Sequence, residues 1–228
     1  MKKSFILFGV ATALFAGNAQ ATEIKPYVSA KFSYSAISSD FSARGYDDYL
    51  DDTYTVKLNG DDNIFGGSLA GGVSIPVTSG AFRVEAELHL NSTAKKTQDA
   101  NINYHYSGSG YIGSYDLEVK TRHALANVYY DIATGTKVTP FIGAGLGIGQ
   151  IEGKVSSNDW GVSESMKKTK FIWQIGAGVS FAASENVAID LGYRYIDYGD
   201  FSKTVDDGEK WSLDTSANEF YLGVRYGF

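Results

Sequence analysis

The sequence predicts an all-β fold: an eight-stranded antiparallel up-and-down transmembrane β-barrel. Three observations predict it. The dominant hydrophobic period is two, over eight separate segments. The connections between those segments alternate short and long. Beyond the N-terminal region, no stretch approaches the roughly 18 consecutive apolar residues that a spanning helix needs, so a membrane would be crossed by strands.

The chain begins with an export signal. Lys2 and Lys3 form a positive segment, and Phe5 to Ala16 is apolar apart from Gly9 and Thr12. Ala19-Gln20-Ala21 is a small-x-small cleavage site. Residues 1–21 therefore read as a secretory signal peptide and residues 22–228 as the barrel domain. The apolar run is too short for a helical anchor, and no Cys follows the site to take a lipid. With Lys2 and Lys3 removed, 18 basic residues face 26 acidic ones, a formal charge of −8. That balance argues against nucleic acid as a partner. The absence of Cys excludes disulfides and thiolate metal sites. Sixteen Tyr, 13 Phe and 26 Gly with 3 Pro suit strands, aromatic girdles and close packing in a lumen.

The first segment, about 25–37, sets Val28, Ala30, Phe32, Tyr34 and Ala36 against Tyr27, Ser29, Lys31, Ser33 and Ser35. The second, 64–76, sets Phe65, Leu69, Val73 and Ile75 against Gly66, Ser68, Ala70, Gly72 and Ser74. The third, 81–91, divides most sharply: Phe82, Val84, Ala86, Leu88 and Leu90 face one way, and Arg83, Glu85, Glu87, His89 and Asn91 the other. In the fourth, 117–131, Leu125 and Tyr129 compete with Ala124, Ala126, Val128 and Tyr130 for the apolar face. Its register is open, and a bulge would reconcile the two sets.

The fifth segment, 137–150, sets Val138, Ile142, Ala144, Leu146 and Ile148 against Phe141 and four glycines. The sixth, 170–182, sets Phe171, Trp173, Ile175, Ala177, Val179 and Phe181 against Gln174, Gly176, Gly178 and Ser180. The seventh, 187–198, sets Ile189, Leu191, Tyr193 and Tyr195 against Asp190, Gly192 and Arg194. The eighth is 217–228. Turns near 77–80, 133–136 and 183–186 are short; those over 38–63, 92–116, 151–169 and 199–216 are long. Three short and four long connections place both termini on one side, with four solvated external loops on the other.

Two features choose the orientation of the faces. Five of the polar faces are dominated by Gly, Ser and Ala, which suit a crowded eight-stranded lumen better than a charge-rich wet surface. The apolar faces carry Tyr, Phe and Trp near strand ends, as membrane-interface girdles do. The apolar side is therefore expected to meet lipid. Lys31, Arg83, Glu85, Glu87, His89, Asp190, Arg194, Glu219 and Arg225 are expected to form a charge network in the lumen.

The last eight residues alternate strictly, with Leu222, Val224, Tyr226 and Phe228 on one face. This ending resembles the signal that outer-membrane barrels present to their assembly machinery, carried here by Gly223, Tyr226 and Phe228. The segments Pro140-Phe141-Ile142-Gly143-Ala144-Gly145-Leu146-Gly147, Trp173-Gln174-Ile175-Gly176-Ala177-Gly178-Val179 and Asp190-Leu191-Gly192-Tyr193-Arg194-Tyr195 resemble the opacity-type, porin-family barrels. Asn127-Val128-Tyr129-Tyr130-Asp131 fits them too. The likeness spans about residues 115–228; the first half matches by pattern only. It implies a surface protein of the Gram-negative outer membrane with an adhesion or envelope-structural role. Implied partners are outer-membrane lipid and lipopolysaccharide, the barrel-assembly machinery with periplasmic chaperones, and a host or extracellular ligand at the loops.

Other chemistries are weakly supported. A small-solute pore is the alternative for the lumen charges, but side chains can fill an eight-stranded interior and unpaired buried charge is costly. A lipid-modifying barrel enzyme would need a His-Ser pair near the membrane rim. His105-Tyr106-Ser107 has that composition without an acidic orienter, so no catalytic residue is assigned. Asp47-Asp48, Asp51-Asp52 and Asp206-Asp207 lack a calcium-loop spacing. Gly143, Gly145 and Gly147 lie inside a strand, not at a phosphate-binding turn. No cofactor or metal site is read from the sequence.

Overall fold

The computed structural model describes residues 24–59, 61–157, 162–204 and 210–228. The signal-peptide reading and Asp206-Asp207 lie outside the described residues. Among the described residues ten strands form one sheet: β1 (Lys25–Asp47), β2 (Asp52–Asn59), β3 (Asp62–Val77), β4 (Gly80–Asn91), β5 (Ala94–Tyr104), β6 (Ser109–Ile132), β7 (Val138–Ser157), β8 (Val162–Ala182), β9 (Val187–Thr204) and β10 (Lys210–Gly227). All pairings are antiparallel, and β10 pairs with β1 from Tyr27↔Gly227 to Arg44↔Lys210, closing the ring.

The ring has two storeys. In the lower one, β1 pairs with β3, β3 with β4 and β4 with β6, giving eight strands. These are the eight segments of the period-two pattern. In the upper one, β2 and β5 replace β3 and β4. β1 continues upward against β2, β2 joins β5 through Tyr54↔Tyr104 to Val56↔Ile102, and β5 lies along the upper half of β6. Between β8 and β9 the pairing reaches only Trp173↔Asp197, although both strands run higher.

The four long connections expected as solvated loops are thus largely strand. The alternation Tyr54-Val56-Leu58 against Thr53, Thr55 and Lys57 already encoded β2; the high Asp content around it masked the period. β6 also resolves the open register. Leu125, Asn127, Tyr129 and Asp131 are buried, while Ala126 and Val128 are exposed. The pairing of β6 with β4 is unbroken from Arg122 to Ile132, with no bulge there. The register shift on β6 lies higher, opposite Ala100/Asn101.

The faces are inverted relative to a water-soluble barrel. Leu69, Leu88, Leu90, Ile142, Leu146, Phe171, Ile175, Leu191, Phe220 and Leu222 are each more than half exposed on the outside, whereas Arg83, Glu85, Glu87 and Arg194 are buried inside. A band of apolar side chains around a polar interior suits hydrocarbon outside. At the upper edge of the band the arrangement reverts. Ile37, Ile64, Leu117, Val119, Leu125, Ile151, Ile172, Ile196 and Ala217 form a buried apolar layer across the lumen. This layer corrects the expectation of an interior of small residues and charges alone. Above the membrane both the outside and the loop ends are wet, so apolar side chains are stabilised only by turning inward.

Small residues let the inner faces approach. A Cβ at Gly147 would lie 2.0 Å from the Ala124 carbonyl oxygen, a backbone clash that no rotamer relieves. One at Gly71, on the lipid side, would meet nothing within 4 Å. Gly147→Val is therefore expected to abolish the SDS-resistant, heat-modifiable form, and Gly71→Val to preserve it, on gels run with and without boiling. Removing residues 217–228 leaves the β1 and β9 edges unpaired in lipid, where each orphan backbone group costs several kcal/mol. That truncation is expected to abolish the folded band rather than shift it.

Candidate functional site: lumen network and external crown

Alternation along β1, β4, β6, β9 and β10 delivers the charged side chains to the lumen below the apolar layer. Lys31 Nζ lies 2.6 Å from Glu85 and 2.7 Å from Glu87. Arg194 reaches Glu87 at 2.9 Å and Glu219 at 2.6 Å. Arg83 pairs with Asp131 at 2.8 Å and approaches Asp190 at 3.8 Å. Arg225 reaches Asp190 at 3.2 Å and Asp131 at 3.7 Å. His89 takes a hydrogen bond from Arg194 on Nδ1 at 3.1 Å, and its Nε2 faces Asn91 Oδ1 at 2.8 Å. The nine lumen residues expected from the sequence thus fall into two ion-paired sets, Lys31, Glu85, Glu87, His89, Arg194 and Glu219 in one, and Arg83, Asp190 and Arg225, joined through Asp131, in the other.

Sequence reasoning missed the neutral members. Asn127 donates to Glu87 and accepts from Gln174, and Tyr27 donates to Glu85 at 3.1 Å. Arg83 lies over the rings of Tyr129 and Phe141 at 4.6 and 4.9 Å. Asp131 was missed as well. Its parity with Tyr129 would have found it once Leu125 and Tyr129 were placed inside. Of the three C-terminal residues, Gly223 faces the lumen beside Lys31, while Tyr226 and Phe228 point outward with rings edge-on at 5.4 Å.

Glu87, His89 and His123 place donor atoms within 4.8 Å of one another. Their geometry does not converge on an ion. The two imidazoles stack at 4.5 Å, tilted by 3°, and ring lone pairs lie in the ring planes, so parallel planes cannot share one ion. Arg194 also occupies the Nδ1 side of His89. His123 instead meets the Tyr198 hydroxyl through Nδ1 at 3.1 Å.

The second feature is a crown built from the β1–β2 and β5–β6 hairpins. Their tips are tied together. Asp52 accepts the backbone N–H groups of Tyr106 and Ser107 at 2.8 and 2.9 Å. Asp47 accepts those of Tyr49 and Leu50, and the Tyr104 hydroxyl at 3.0 Å. His105 N–H donates to the Thr53 carbonyl. The acidic residues of this loop thus act as acceptors for backbone and hydroxyl groups. Outside this scaffold Tyr49 is 95 % exposed, Tyr106 84 % and Tyr111 63 %. The His105 ring meets Tyr106 edge-on at 4.3 Å, and no carboxylate among the described residues hydrogen-bonds to it.

The Leu50 N–H, then the Tyr104 hydroxyl, hold the Asp47 carboxyl below its usual value. For Asp52, burial pushes upward, but the N–H groups of Tyr106 and Ser107 outweigh it and the carboxyl is also held low. A lowered folded value contributes stability above the ordinary 3.8 that is lost as pH falls through the folded value. Amide-exchange protection at Tyr106 and Ser107 is therefore expected to be unchanged between about pH 7 and pH 5, and to disappear in Asp52→Ala at either pH. In the lumen, Arg194→Met strands the buried Glu219 carboxylate and removes one of the two cations of Glu87, which keeps Lys31. It is expected to destabilise the barrel by about 3–5 kcal/mol in urea titrations in lipid vesicles.

Comparison with known proteins gives the chain its context. The profile of the family described as "Outer membrane protein beta-barrel domain" matches residues 6–228. "Outer membrane protein PagN" of Salmonella typhimurium is 29 % identical over 180 residues, covering 72 % of this chain and 73 % of that protein. "Putative adhesin RT0816" of Rickettsia typhi is 26 % identical over 182 residues, covering 73 % and 80 %. Among solved structures, the outer membrane protease OmpT of Escherichia coli superposes with a TM-score of 0.54 at 6 % identity, covering 89 % of this chain and 97 % of that one. That likeness concerns the fold alone.

Proposed function

The chain belongs to the outer-membrane β-barrel protein family, and from that premise we propose that it is a surface adhesin whose binding element is the stapled crown. It is an integral protein of the Gram-negative outer membrane. The carrying observation is the set of exposed aromatic side chains, Tyr49, Tyr106 and Tyr111, on hairpins held by Asp47 and Asp52. Tyr brings large contact area at low conformational cost. Aromatics fixed on paired strands lose little entropy on binding. A relative named as an adhesin supports the reading.

The lumen supports an anchor rather than a conduit. Paired charges fill the lower lumen, and the apolar layer of Ile37, Ile172 and Ile196 crosses it above them. The purified protein is expected to be silent in planar bilayers. Stepwise conductance altered by Glu85→Gln would instead establish the pore.

The C-terminal strand serves a second role in this reading. Gly223, Tyr226 and Phe228 form the signal for the assembly machinery, and residues 1–21 are the export signal removed before insertion.

The adhesin reading is tested by replacing the tips, residues 48–51 and 105–108, with short Gly-Ser turns. Heat-modifiable migration should persist, while attachment of expressing bacteria to host cells or matrix should fall to the level of cells without the protein. Undiminished attachment by the folded variant would overturn the assignment. Lipid A and phospholipid masses in expressing cells are expected to be unchanged, which separates this reading from a lipid-modifying enzyme acting through His105.

A further inference from the structure

The upper storey of the barrel is split between β8 and β9. β7 pairs with β8 along its whole length, from Val138↔Phe181 to Ser157↔Val162, and β9 pairs with β10 as far as Lys210↔Thr204. β8 and β9 part at Trp173↔Asp197. From there β8 runs on to Val162 with β7 on one side and, among the described residues, no pairing to β9 on the other. The split has a local cause. Tyr198 and Gly199 stand opposite Thr215 alone, which makes a bulge on β9. Gly199 has a φ of 75°, and its N–H donates to Asp197 Oδ1 at 2.7 Å. The bulge bends β9 away from its neighbour. At the foot of the gap Lys170 Nζ donates to the Asp200 carbonyl at 2.6 Å, so a side chain stands where ladder bonds would continue.

Water permits such an edge. Phe171 is the last large apolar residue on the outer face of β8; above it stand Thr169, Lys167, Ser165 and Ser163, all exposed. In hydrocarbon an open edge is costly, and there the β8–β9 ladder is continuous from Trp173↔Asp197 to Ala182↔Ala188. In water the edge is solvated and remains a template for another strand. This template is firm, because the β7–β8 register carries no shift. The banks of the gap also differ in charge. From 162 to 172 β8 carries Lys167, Lys168 and Lys170 against Glu164, whereas from 197 to 204 β9 carries Asp197 and Asp200 against Lys203.

We propose that the β9-side edge of β8, residues 162–170, accepts an extended acidic segment of an extracellular polypeptide as an added strand. Main-chain hydrogen bonds to β8 supply the affinity, and carboxylates set opposite the three lysines supply the selectivity. Backbone pairing alone would take any strand. Lysines along an edge repel cationic strands and admit one that brings acids. They make a second copy of this chain a poorer partner, since β8 against β8 sets like charges opposite each other. β9 is the poorer acceptor, because its edge is interrupted at Gly199 and is acidic. The site lies apart from the crown tips and stands whatever the crown binds.

The experiment uses the folded full-length protein in lipid nanodiscs. The probe is a synthetic Thr-Glu-Glu-Thr repeat long enough to span residues 162–170. Saturable binding is expected, with amide exchange slowed over residues 162–170 and unchanged over the crown hairpins. The same peptide methylated on every backbone nitrogen cannot donate, and a Thr-Lys-Lys-Thr repeat carries the wrong charge; each is expected to bind at least about tenfold more weakly. Lys167→Glu with Lys168→Glu should weaken the acidic peptide by at least about tenfold; Lys167→Gln with Lys168→Gln serves if the reversed variant lacks the heat-modifiable form. Replacing the crown tips, residues 48–51 and 105–108, should change peptide affinity less than about twofold, which keeps this test distinct from that of the adhesin reading. The proposal is overturned if the acidic peptide does not bind, if the methylated or the basic peptide binds as well, if protection appears on the crown instead of β8, or if the lysine variants bind as wild type does.

Discussion

Everything in this molecule follows from a backbone that must satisfy its hydrogen bonds without water. In hydrocarbon an unpaired N–H or C=O has no alternative partner, so a sheet can cross only if its two edges meet. The β1–β10 seam performs that closure, and it continues well above the membrane to Arg44↔Lys210. Closure then dictates the side chains. The outward positions must be apolar where lipid surrounds them, and the inward ones must fill a narrow cylinder without leaving charge uncompensated. The network of Lys31, Arg83, Arg194 and Arg225 with Glu85, Glu87, Asp131, Asp190 and Glu219 meets the second demand, because each cation has a carboxylate within 4 Å.

The same constraint explains why the barrel changes character along its axis. Within the membrane the sheet is inside out. Once the strands leave lipid, water surrounds the outer face and the ordinary preference returns, so Ile37, Ile64, Ile151, Ile172 and Ile196 turn inward. The apolar layer and the charged layer beneath it are rigid for different reasons, one through packing and the other through directional bonds. Together they make a firm post, and the crown inherits that firmness because β1 and β6 run uninterrupted from the membrane into it.

How much of this was legible in the sequence depended on which solvent each face met. Where one face touches lipid and the other a polar lumen, as in β4 with Leu88 against Glu87, alternation is sharp and the strand reads directly. Where both faces meet apolar surroundings, as at Phe171-Ile172-Trp173 or Tyr195-Ile196, alternation collapses. The loss of contrast was itself the missed sign of an apolar layer. Where both faces are polar, as along the upper hairpins, strands pass for loops. β6 combined these cases, which is why Leu125 and Tyr129 left its register open. Pairwise connections such as Asp52 to the Tyr106 and Ser107 amides could not be read, because they join residues over 50 positions apart whose meeting depends on the β2–β5 pairing.

The division between crown and wall also separates two kinds of selection on the surface. Aromatic tips on rigid hairpins suit a partner arriving from outside, since they offer area without an entropic penalty for ordering. The wall meets a solvent that never leaves, and any recognition there must be amphipathic.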